Sequence, residues 1–428
     1  MENEMQQPIA PADDGASEHF RNTADALLES RLYFDASQMA GFMAIHGHSM
    51  RERGLAWGNG PIDSGPQVID FVRCSYLGLD THPMIVAGAI EAIEVHRPLH
   101  SSSARTRLKF DLLRELEGLL AEIFCARVVA FSSGMLANLG AMPILASGQL
   151  TGGRKPIVVF DRSSQISLAY HKPVVADQTP VETIVHNDID ALERLCRENP
   201  VVAYVCDGVY CTGDYSPIKE LRQLQERYGL FLYIDDTHGI SIFGHQGEGF
   251  ARSQLPQVLG DRTIIAASLA NGFGTSGGIL MLGTAHHEAL FRGYSVPYAF
   301  SMISNLAAVG AAFGSCKIHR SPELGQRQRR LAQLVRLFDR HIATAEQGNS
   351  LPIRAITIGS EADAIAIARG LLDGGFYTLA PFFPRVGQGK AGIRVCITAD
   401  HEVREIERLC DCILKNIAET TGKPYPLR

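Results

Sequence analysis

Short apolar runs rich in β-branched residues alternate with stretches of helical periodicity from about residue 67 onward. A run of four to eight such residues is typical of a buried strand. Regular alternation with helices favours a mostly parallel sheet that is covered on both faces. The runs lie at 67–72, 128–133, 156–161, 181–186, 201–207, 230–236, 263–268 and 278–282. The pattern therefore predicts an α/β fold built on a mostly parallel sheet.

The helical stretches predict the organisation of the chain into domains. Leucine and isoleucine at 112, 116, 119, 120 and 123 form one apolar stripe, and 188–199 opens with an aspartate and closes on Asn-Pro. After about residue 300, long helices surround two strand patterns, 353–359 and 393–399, which is typical of a smaller α+β domain. We predict an N-terminal tail and arm over 1–60, with helix beginning near Ala24, a large domain over 61–300 and a small C-terminal domain over 301–428.

Composition and charge narrow the class of protein. The 428 residues are 46% hydrophobic and 20% charged, which is typical of a packed globular protein, and the net charge of −6 gives no basic surface for nucleic acid. No apolar run is long enough to span a bilayer, and the acidic N-terminus does not resemble an export signal. Nine cysteines without a regular framework are typical of reduced thiols. We predict a cytoplasmic protein with no membrane, nucleic-acid or metal partner.

Three segments carry polar residues where predicted strands end, the usual place for sites in α/β sheets. One predicted strand ends with Asp235 and Asp236, and His238 follows two residues later. Such an Asp–His pair could be catalytic, but a buried pair is also common as a purely structural feature. In the second segment, 268–278, the end of a predicted strand is followed by a loop with four glycines. This loop could belong to a functional site, but its glycines would equally suit a tight connection. The third segment, 131–138, runs from strand through a Ser-Gly turn into a helix, whose N–H groups could hold a phosphate.

In this order and spacing the segments resemble the α-oxoamine synthase family of fold-type-I pyridoxal-phosphate (PLP) enzymes, which join an amino acid to an acyl-CoA with loss of CO2. The resemblance covers about four fifths of the chain and is strongest to the autoinducer synthase and 8-amino-7-oxononanoate synthase branch. It includes C-S-Y-L-G-L at 74–79 with His-Pro at 82–83, L-E at 116–117, D-G-V-Y at 207–210, A-S-L-A at 267–270 and T-A-D-H at 398–401. It implies a seven-stranded, mostly parallel sheet and a homodimer.

The resemblance also implies which residues face a cofactor. Asp235 would pair with the pyridine nitrogen and His238 with the ring oxygen, while Ser268 would offer a hydroxyl to the phosphate. The cofactor-binding set that it implies is Ser133, Gly134, Met135, Gln165, Asp207, Asp235, His238, Ser268 and Asn271.

Four positions depart from the family pattern. Asn271 stands where the family has its Schiff-base lysine, and an amide cannot form an imine. Gln165 replaces the histidine that stacks on the ring, and Met302 follows Phe-Ser where the family has a threonine. About twelve residues before Arg394, which matches the family, the family has an arginine that binds the substrate carboxylate. This chain has Phe382 and Phe383 there, and Arg385 lies nearby but does not align with the family's arginine. From these departures we predict that no cofactor is bound covalently and that PLP binds, at most, noncovalently.

One replacement introduces a nucleophile. Cys211 follows the D-G-V-Y motif, and a thiol close to His238 and Asp235 would form a Cys/His/Asp catalytic set, although cysteine also fills small apolar gaps. The predicted function is a diverged α-oxoamine synthase-like acyltransferase without an internal aldimine, which uses an acyl-CoA or carrier-bound acyl thioester and a small-molecule acceptor. The alternative is a noncatalytic, lysine-lacking subunit that pairs with a lysine-bearing paralogue.

Overall fold

The structure, a computed structural model, describes residues 23–43, 47–49, 55–57, 67–97, 105–106, 110–302, 304–381, 386 and 389–425. The helices are α1 Thr23–Met39, α2 Pro83–His96, α3 Asp111–Phe124, α4 Gly134–Ala146, α5 Ile166–Ala169, α6 Lys172–Ala176, α7 Ile189–Glu198, α8 Ile218–Tyr228, α9 Phe250–Ser253, α10 Ala285–Tyr294, α11 Val296–Phe300, α12 Leu306–His319, α13 Pro322–His341, α14 Glu361–Asp373 and α15 Val403–Thr421. The strands are β1 Gly47–Ser49, β2 Leu55–Trp57, β3 Gln67–Asp70, β4 Arg127–Phe131, β5 Ile157–Asp161, β6 Val181–Ile184, β7 Val202–Asp207, β8 Phe231–Asp235, β9 Thr263–Ser268, β10 Gly278–Leu282, β11 Ile353–Gly359, β12 Phe376–Tyr377 and β13 Ala391–Cys396.

The central sheet has seven strands in the order β4-β10-β9-β8-β7-β5-β6. All are parallel to one another except β10, which runs antiparallel to both of its neighbours. Successive residues of each strand point to opposite faces: Tyr204 and Leu232 pack into one apolar core, and Val205 and Tyr233 into the other. This arrangement confirms the predicted fold-type-I α/β class and its mostly parallel seven-stranded sheet.

The predicted strand at 67–72 lies outside the central sheet. β3 instead joins a four-stranded sheet in the order β1-β2-β3-β12, in which it pairs in parallel with the two-residue β12. The apolar run alone could not indicate this, since strand partners are chosen by contacts between chain-distant segments.

The C-terminal part packs α13, α14 and α15 with the antiparallel pair β11 and β13 around a separate apolar core. Helix α13 begins at Pro322, because Ser321 caps the backbone N–H of Glu323 and proline suits the first helical turn. Asp188 caps the start of α7, as predicted, and Ser360 caps the start of α14. The predicted domain boundaries stay predictions, and residues 1–22 of the predicted tail lie outside the described residues. Within the described part of the chain, no helix combines the length and apolarity needed to cross a membrane.

Candidate active site

The carboxyl ends of three parallel strands bring the candidate residues to one edge of the sheet. Asp207, the last residue of β7, lies in register with Asp235, the last residue of β8. On the other side of β8, the neighbouring β9 ends at Ser268. Three residues from separate segments of the chain, Asp207, Asp235 and Ser268, therefore lie at one edge of the sheet, as the sequence predicts.

Asp235 is a buried carboxylate, 2% exposed, whose two oxygens are both held by donors. The side-chain amide of Asn138 donates to Oδ2 at 2.8 Å, and the backbone N–H of Thr237 donates to Oδ1 at 3.0 Å. Asn138 is itself fixed, because the Tyr233 hydroxyl donates to its Oδ1 at 2.7 Å. A charged group held by several donors is pre-oriented, so Asp235 can face a cationic ligand without rearrangement.

The N-terminus of α4 lies against the end of β9. Ser133 caps this helix by accepting from the N–H of Leu136 at 3.2 Å. A Cβ added at Gly134 would come within 3.1 Å of the Ser268 Cβ, so glycine allows the turn and the strand end to approach closely. The predicted residues Ser133, Gly134 and Ser268 are thus brought together at a helix N-terminus, where backbone N–H groups and the helix dipole favour an anion. Met135, the next residue, is 40% exposed.

His238 lies beside Asn271 in the same pocket and is largely buried. Its Nδ1 is 2.7 Å from the Tyr76 hydroxyl and 3.4 Å from the Asn271 amide nitrogen. An amide N–H2 can only donate, so Nδ1 acts as the acceptor and the ring proton is assigned to Nε2. Burial lowers the pKa of His238, which favours a neutral imidazole at neutral pH. A neutral imidazole can accept a proton, as a general base must.

Gln165 and Asp207 form the third side of the site. The backbone N–H of Gln165 donates to Asp207 Oδ2 at 3.0 Å, while Oδ1 is buried without a hydrogen-bond partner. Burial, reinforced by the nearby charge of Asp235, raises the pKa of Asp207 well above its usual range. A buried, unsatisfied carboxylate oxygen is costly unless a ligand or proton occupies it. Across the described part of the chain, no group of three or more histidine, cysteine or acidic side chains could hold a metal ion.

Cys211, the predicted candidate nucleophile, lies beside Arg394. Its side chain is exposed, and its backbone carbonyl accepts a hydrogen bond from Arg394 Nε at 2.7 Å. The Nη2 of the same guanidinium lies 3.9 Å from the Cys74 sulfur. Cys74 is therefore a second thiol beside Arg394.

The residues present fit the ring and phosphate of PLP. Asp235 offers a fixed carboxylate for a pyridinium nitrogen, and the α4 N-terminus with Ser268 offers N–H groups and a hydroxyl for a phosphate. The amide of Asn271 contributes a hydrogen-bond donor at the place where the family resemblance implies a lysine. Groups that could hold both ends of the cofactor are therefore present, and the site is altered near His238.

The fold is that of the pyridoxal-phosphate transferases of fold type I. The model of the aminotransferase class I and II family matches residues 66–413, and the chain belongs to that family. The 8-amino-7-oxononanoate synthase of Maricaulis maris is 30% identical over 83% of this chain and 88% of its own length, and that of Geobacter sulfurreducens 28% over 84% and 93%. Within the family, the chain is an α-oxoamine synthase relative, as its sequence motifs predict.

Solved structures show the same fold. Serine palmitoyltransferase from S. paucimobilis with a bound PLP–myriocin aldimine superimposes with a TM-score of 0.81 at 21% identity, covering 94% of this chain and all of that one. The 8-amino-7-oxononanoate synthase of Francisella tularensis superimposes with a TM-score of 0.67 at 17% identity, over 84% and 99% of the two chains.

The prediction that the chain binds no cofactor covalently, and PLP at most noncovalently, is wrong. The relatives are PLP-dependent enzymes, and one serine palmitoyltransferase structure with a TM-score of 0.80 holds PLP as an internal aldimine. The prediction gave too much weight to the departures from the family pattern, above all to Asn271. An amide there changes the chemistry at one point of the pocket, whereas the groups that face the ring and the phosphate are retained.

Sequence reasoning missed three residues that shape the site. Tyr76 and Cys74 both belong to the motif at 74–79, which was used only as a mark of the family and not as part of the pocket. Asn138 is the last residue of the segment 131–138. Its side-chain amide can donate a hydrogen bond to a nearby carboxylate, and that property could have indicated its role. The predictions for Phe382, Phe383 and Arg385 fall outside the described residues. Met302, which follows the short helix α11, is described and is 39% exposed.

Proposed function

We propose that this chain is an α-oxoamine synthase-type acyltransferase that binds PLP and joins the acyl group of a thioester to a small amino-acid acceptor. The single observation that carries the proposal is the Asp235 carboxylate, which is buried and held by Asn138 and Thr237 at the sheet edge next to the α4 N-terminus. When bound, PLP supplies an electron sink for negative charge at the acceptor's α-carbon.

The chain's own residues have separable roles in this proposal. Asp235 would hold the pyridine nitrogen and stabilise its positive charge, while Ser268 and the α4 N-terminus would hold the phosphate. His238, kept neutral by burial and oriented by Tyr76, accepts or returns a proton through its ring. The Asn271 amide, 3.4 Å from His238 Nδ1, fixes the orientation of the imidazole from the other side.

A homodimer is part of the proposal. Three large apolar side chains are exposed together at the end of α10 and on α11: Tyr294 at 74%, Val296 at 65% and Phe300 at 74%. An apolar group of this kind on a monomer commonly marks a contact with another chain. The proposed occupant is a second copy of this chain, since most soluble oligomers are symmetric homo-oligomers.

The test is a PLP titration of the purified protein followed by a turnover assay. Binding is measured by absorbance and by quenching of the fluorescence of the protein, and turnover by CoA release from a series of acyl-CoA thioesters with small amino acids. Asp235→Asn should weaken PLP binding by at least tenfold, because the neutral amide no longer balances a pyridinium charge. Asp373→Asn is the matched control, since Asp373 pairs with Arg369 on the exposed end of α14.

Two outcomes would overturn the proposal. One is the absence of saturable PLP binding to the parent protein. The other is acyl transfer that appears only when a second, lysine-bearing chain is added, which would favour the supporting-subunit function instead. Saturable binding weakened by Asp235→Asn but not by Asp373→Asn, together with PLP-dependent CoA release, would support it.

A further inference from the structure

His319, the last residue of α12, is a buried histidine to which the proposed function assigns no role. The residue is 1% exposed, yet both of its ring nitrogens have partners. Nε2 lies 2.9 Å from the Ser241 hydroxyl, and Nδ1 lies 2.8 Å from the Ser315 carbonyl oxygen. Ser241 follows His238 by three residues, so His319 contacts the loop that leaves the candidate site.

The directions of these hydrogen bonds define the form of the imidazole. A carbonyl oxygen can only accept, so Nδ1 carries the ring proton and the bare Nε2 accepts from the Ser241 hydroxyl. Burial lowers the pKa of His319 to about 4, so the ring is neutral at neutral pH and keeps this acceptor. His319 therefore holds Ser241 through a hydrogen bond that depends on one tautomer.

Ser241 adopts a backbone conformation that needs such support. Its φ is +70°, in the left-handed region where a side chain is strained and glycine is favoured. The residue is fully buried, and its backbone is held as well. Its N–H donates to the Gly247 carbonyl at 2.8 Å, and its carbonyl accepts from Gln328 Nε2 at 3.0 Å. A serine kept in a strained conformation by buried contacts marks a segment whose path is fixed.

The same turn of α12 also holds the loop that carries Asn271. The His319 ring stacks on the ring of Phe273, with centroids 4.4 Å apart and planes at 30°. The Ser315 hydroxyl donates to the Phe273 carbonyl at 2.6 Å. Phe273 is fully buried and follows Asn271 by two residues, so the last turn of α12 contacts both loops of the site.

The two loops also approach each other closely. A Cβ added at Gly272 would lie 2.8 Å from the Ile240 carbonyl oxygen and 3.1 Å from the Ser241 Cβ. Gly272 adjoins Asn271, and Ile240 lies two residues after His238. A shift of either loop would therefore change the contact between His238 Nδ1 and the Asn271 amide nitrogen, which are 3.4 Å apart.

We infer that His319 is a positioning residue: it holds the two loops together and so fixes the His238 imidazole against the Asn271 amide. The inference deepens the proposed function and rests on it for the acid or base role of His238. Because its ring is buried, His319 acts through the loops and not by touching a substrate. A histidine that only filled the core would make the same contacts without affecting His238, and the experiments separate these two roles.

The first experiment observes the two imidazoles by NMR in the full-length protein with ring-labelled histidine. The signals of His319 and His238 are assigned by their loss in His319→Phe and His238→Gln. In the parent protein, His319 should carry its proton on Nδ1 at neutral pH and should not titrate above about pH 5. A His319 ring protonated on Nε2 would overturn the inference, because it could not accept from Ser241.

The second experiment measures the pKa of His238 in two variants that remove the support in different ways. His319→Phe keeps a ring against Phe273 and removes both hydrogen bonds, whereas Ser241→Gly removes the hydroxyl and relieves the strain at φ +70°. In both variants the loop is freer to admit water, so the pKa of His238, which burial lowers, should rise towards its ordinary value. The ionisable groups that act on His238 are unchanged in both variants: Tyr76, Cys74, Arg394 and Asp235.

The third experiment measures CoA release under PLP saturation. Both variants should lower kcat by about ten- to hundredfold and leave KM for the thioester nearly unchanged, because a displaced acid or base slows the reaction without removing a substrate contact. His319→Gln should recover part of this loss, since its side-chain oxygen can accept from Ser241. His287→Phe is the matched control: His287 is 3% exposed on α10, and its ring lies against Phe231, at the opposite end of β8 from Asp235.

Thermal unfolding separates positioning from packing. Ser241→Gly should unfold close to the parent temperature, because relief of the backbone strain offsets the lost hydrogen bond, and this variant decides the question if His319→Phe does not fold. Parent values of both kcat and the His238 pKa in the folded variants would overturn the inference and leave the proposed function in place. A raised His238 pKa in the variants, with no turnover of any thioester by the parent protein, would support the inference and contradict the proposed function.

Discussion

Replacing Tyr76 by phenylalanine tests the role of His238 without disturbing the apolar core. The Tyr76 hydroxyl lies 2.7 Å from His238 Nδ1, and the tyrosine ring is fully buried. Phenylalanine keeps the ring and removes only the hydroxyl. The imidazole then retains the Asn271 amide, 3.4 Å away, as its remaining contact on Nδ1. The change therefore loosens the orientation of His238 while leaving its burial intact.

The magnitude follows from the loss of the shorter of the two contacts that His238 Nδ1 makes. Loss of one partner from a buried hydrogen bond costs about 1–3 kcal/mol, and each 1.4 kcal/mol corresponds to about tenfold in rate. We expect Tyr76→Phe to lower kcat/KM for acyl transfer by about tenfold. His238→Ala should lower it by about 10²–10⁴-fold, the usual contribution of one general acid or base. The ordering of the two variants is part of the prediction.

The assay is CoA release under PLP saturation, with the thermal stability of each variant measured in parallel. Tyr204→Phe is the matched control: its hydroxyl donates to Asp161 Oδ2 at 2.8 Å and its side chain is 1% exposed. Both substitutions remove one buried hydroxyl, so both should reduce stability by a similar amount, but only Tyr76→Phe should reduce turnover. Parent-like kcat/KM in a folded Tyr76→Phe protein would refute the assignment of His238 as an oriented acid or base.

Two further predictions concern stability. Burial lowers the pKa of His186, but its hydrogen bonds to Asp161 and Asp214 raise it to about 9. The charged imidazole therefore stabilises the folded protein fully below about pH 6.5, and this stabilisation is lost as the pH rises through 9. His186→Gln should cost about 1–2 kcal/mol at pH 6 and much less at pH 10 in urea unfolding; an equal loss at both would contradict this. The fully buried Arg354 donates two hydrogen bonds to Asp339, at 2.6 and 2.8 Å. Arg354→Met leaves the Asp339 carboxylate buried without its partner, so it should lower the free energy of unfolding by about 3–5 kcal/mol in the same assay. A loss below about 1 kcal/mol would contradict the pairing.

The central sheet could be predicted from sequence because its signals are local. Each buried strand is an apolar run, and chain order with short helical connections restricts how the strands are arranged. The residues that end β7, β8 and β9 therefore lie together as expected, and Asp207, Asp235 and Ser268 were identified without a structure. The position of β3 could not be predicted in this way, since its partner β12 is only two residues long and lies about three hundred residues further along the chain.

The same limit explains why the sequence could not place Cys74 beside Arg394, whereas Cys211 follows a recognised motif. Sequence alone therefore places Cys211 near His238. The environment of Cys74 depends on Arg394, more than three hundred residues away, whose strand β13 is fixed by its pairing with β11. The reactivity of a thiol depends on the charges around it, which only the folded chain brings together.

The departures from the family pattern act on different parts of the pocket. The groups for the ring and phosphate sit on rigid elements, the ends of β8 and β9 and the start of α4, and their hydrogen bonds are satisfied within the chain. Asn271 instead faces His238, next to the side of the pocket where Cys74 and Arg394 lie. Asn271 therefore bears on the orientation of His238, and it does not by itself decide whether the cofactor is held.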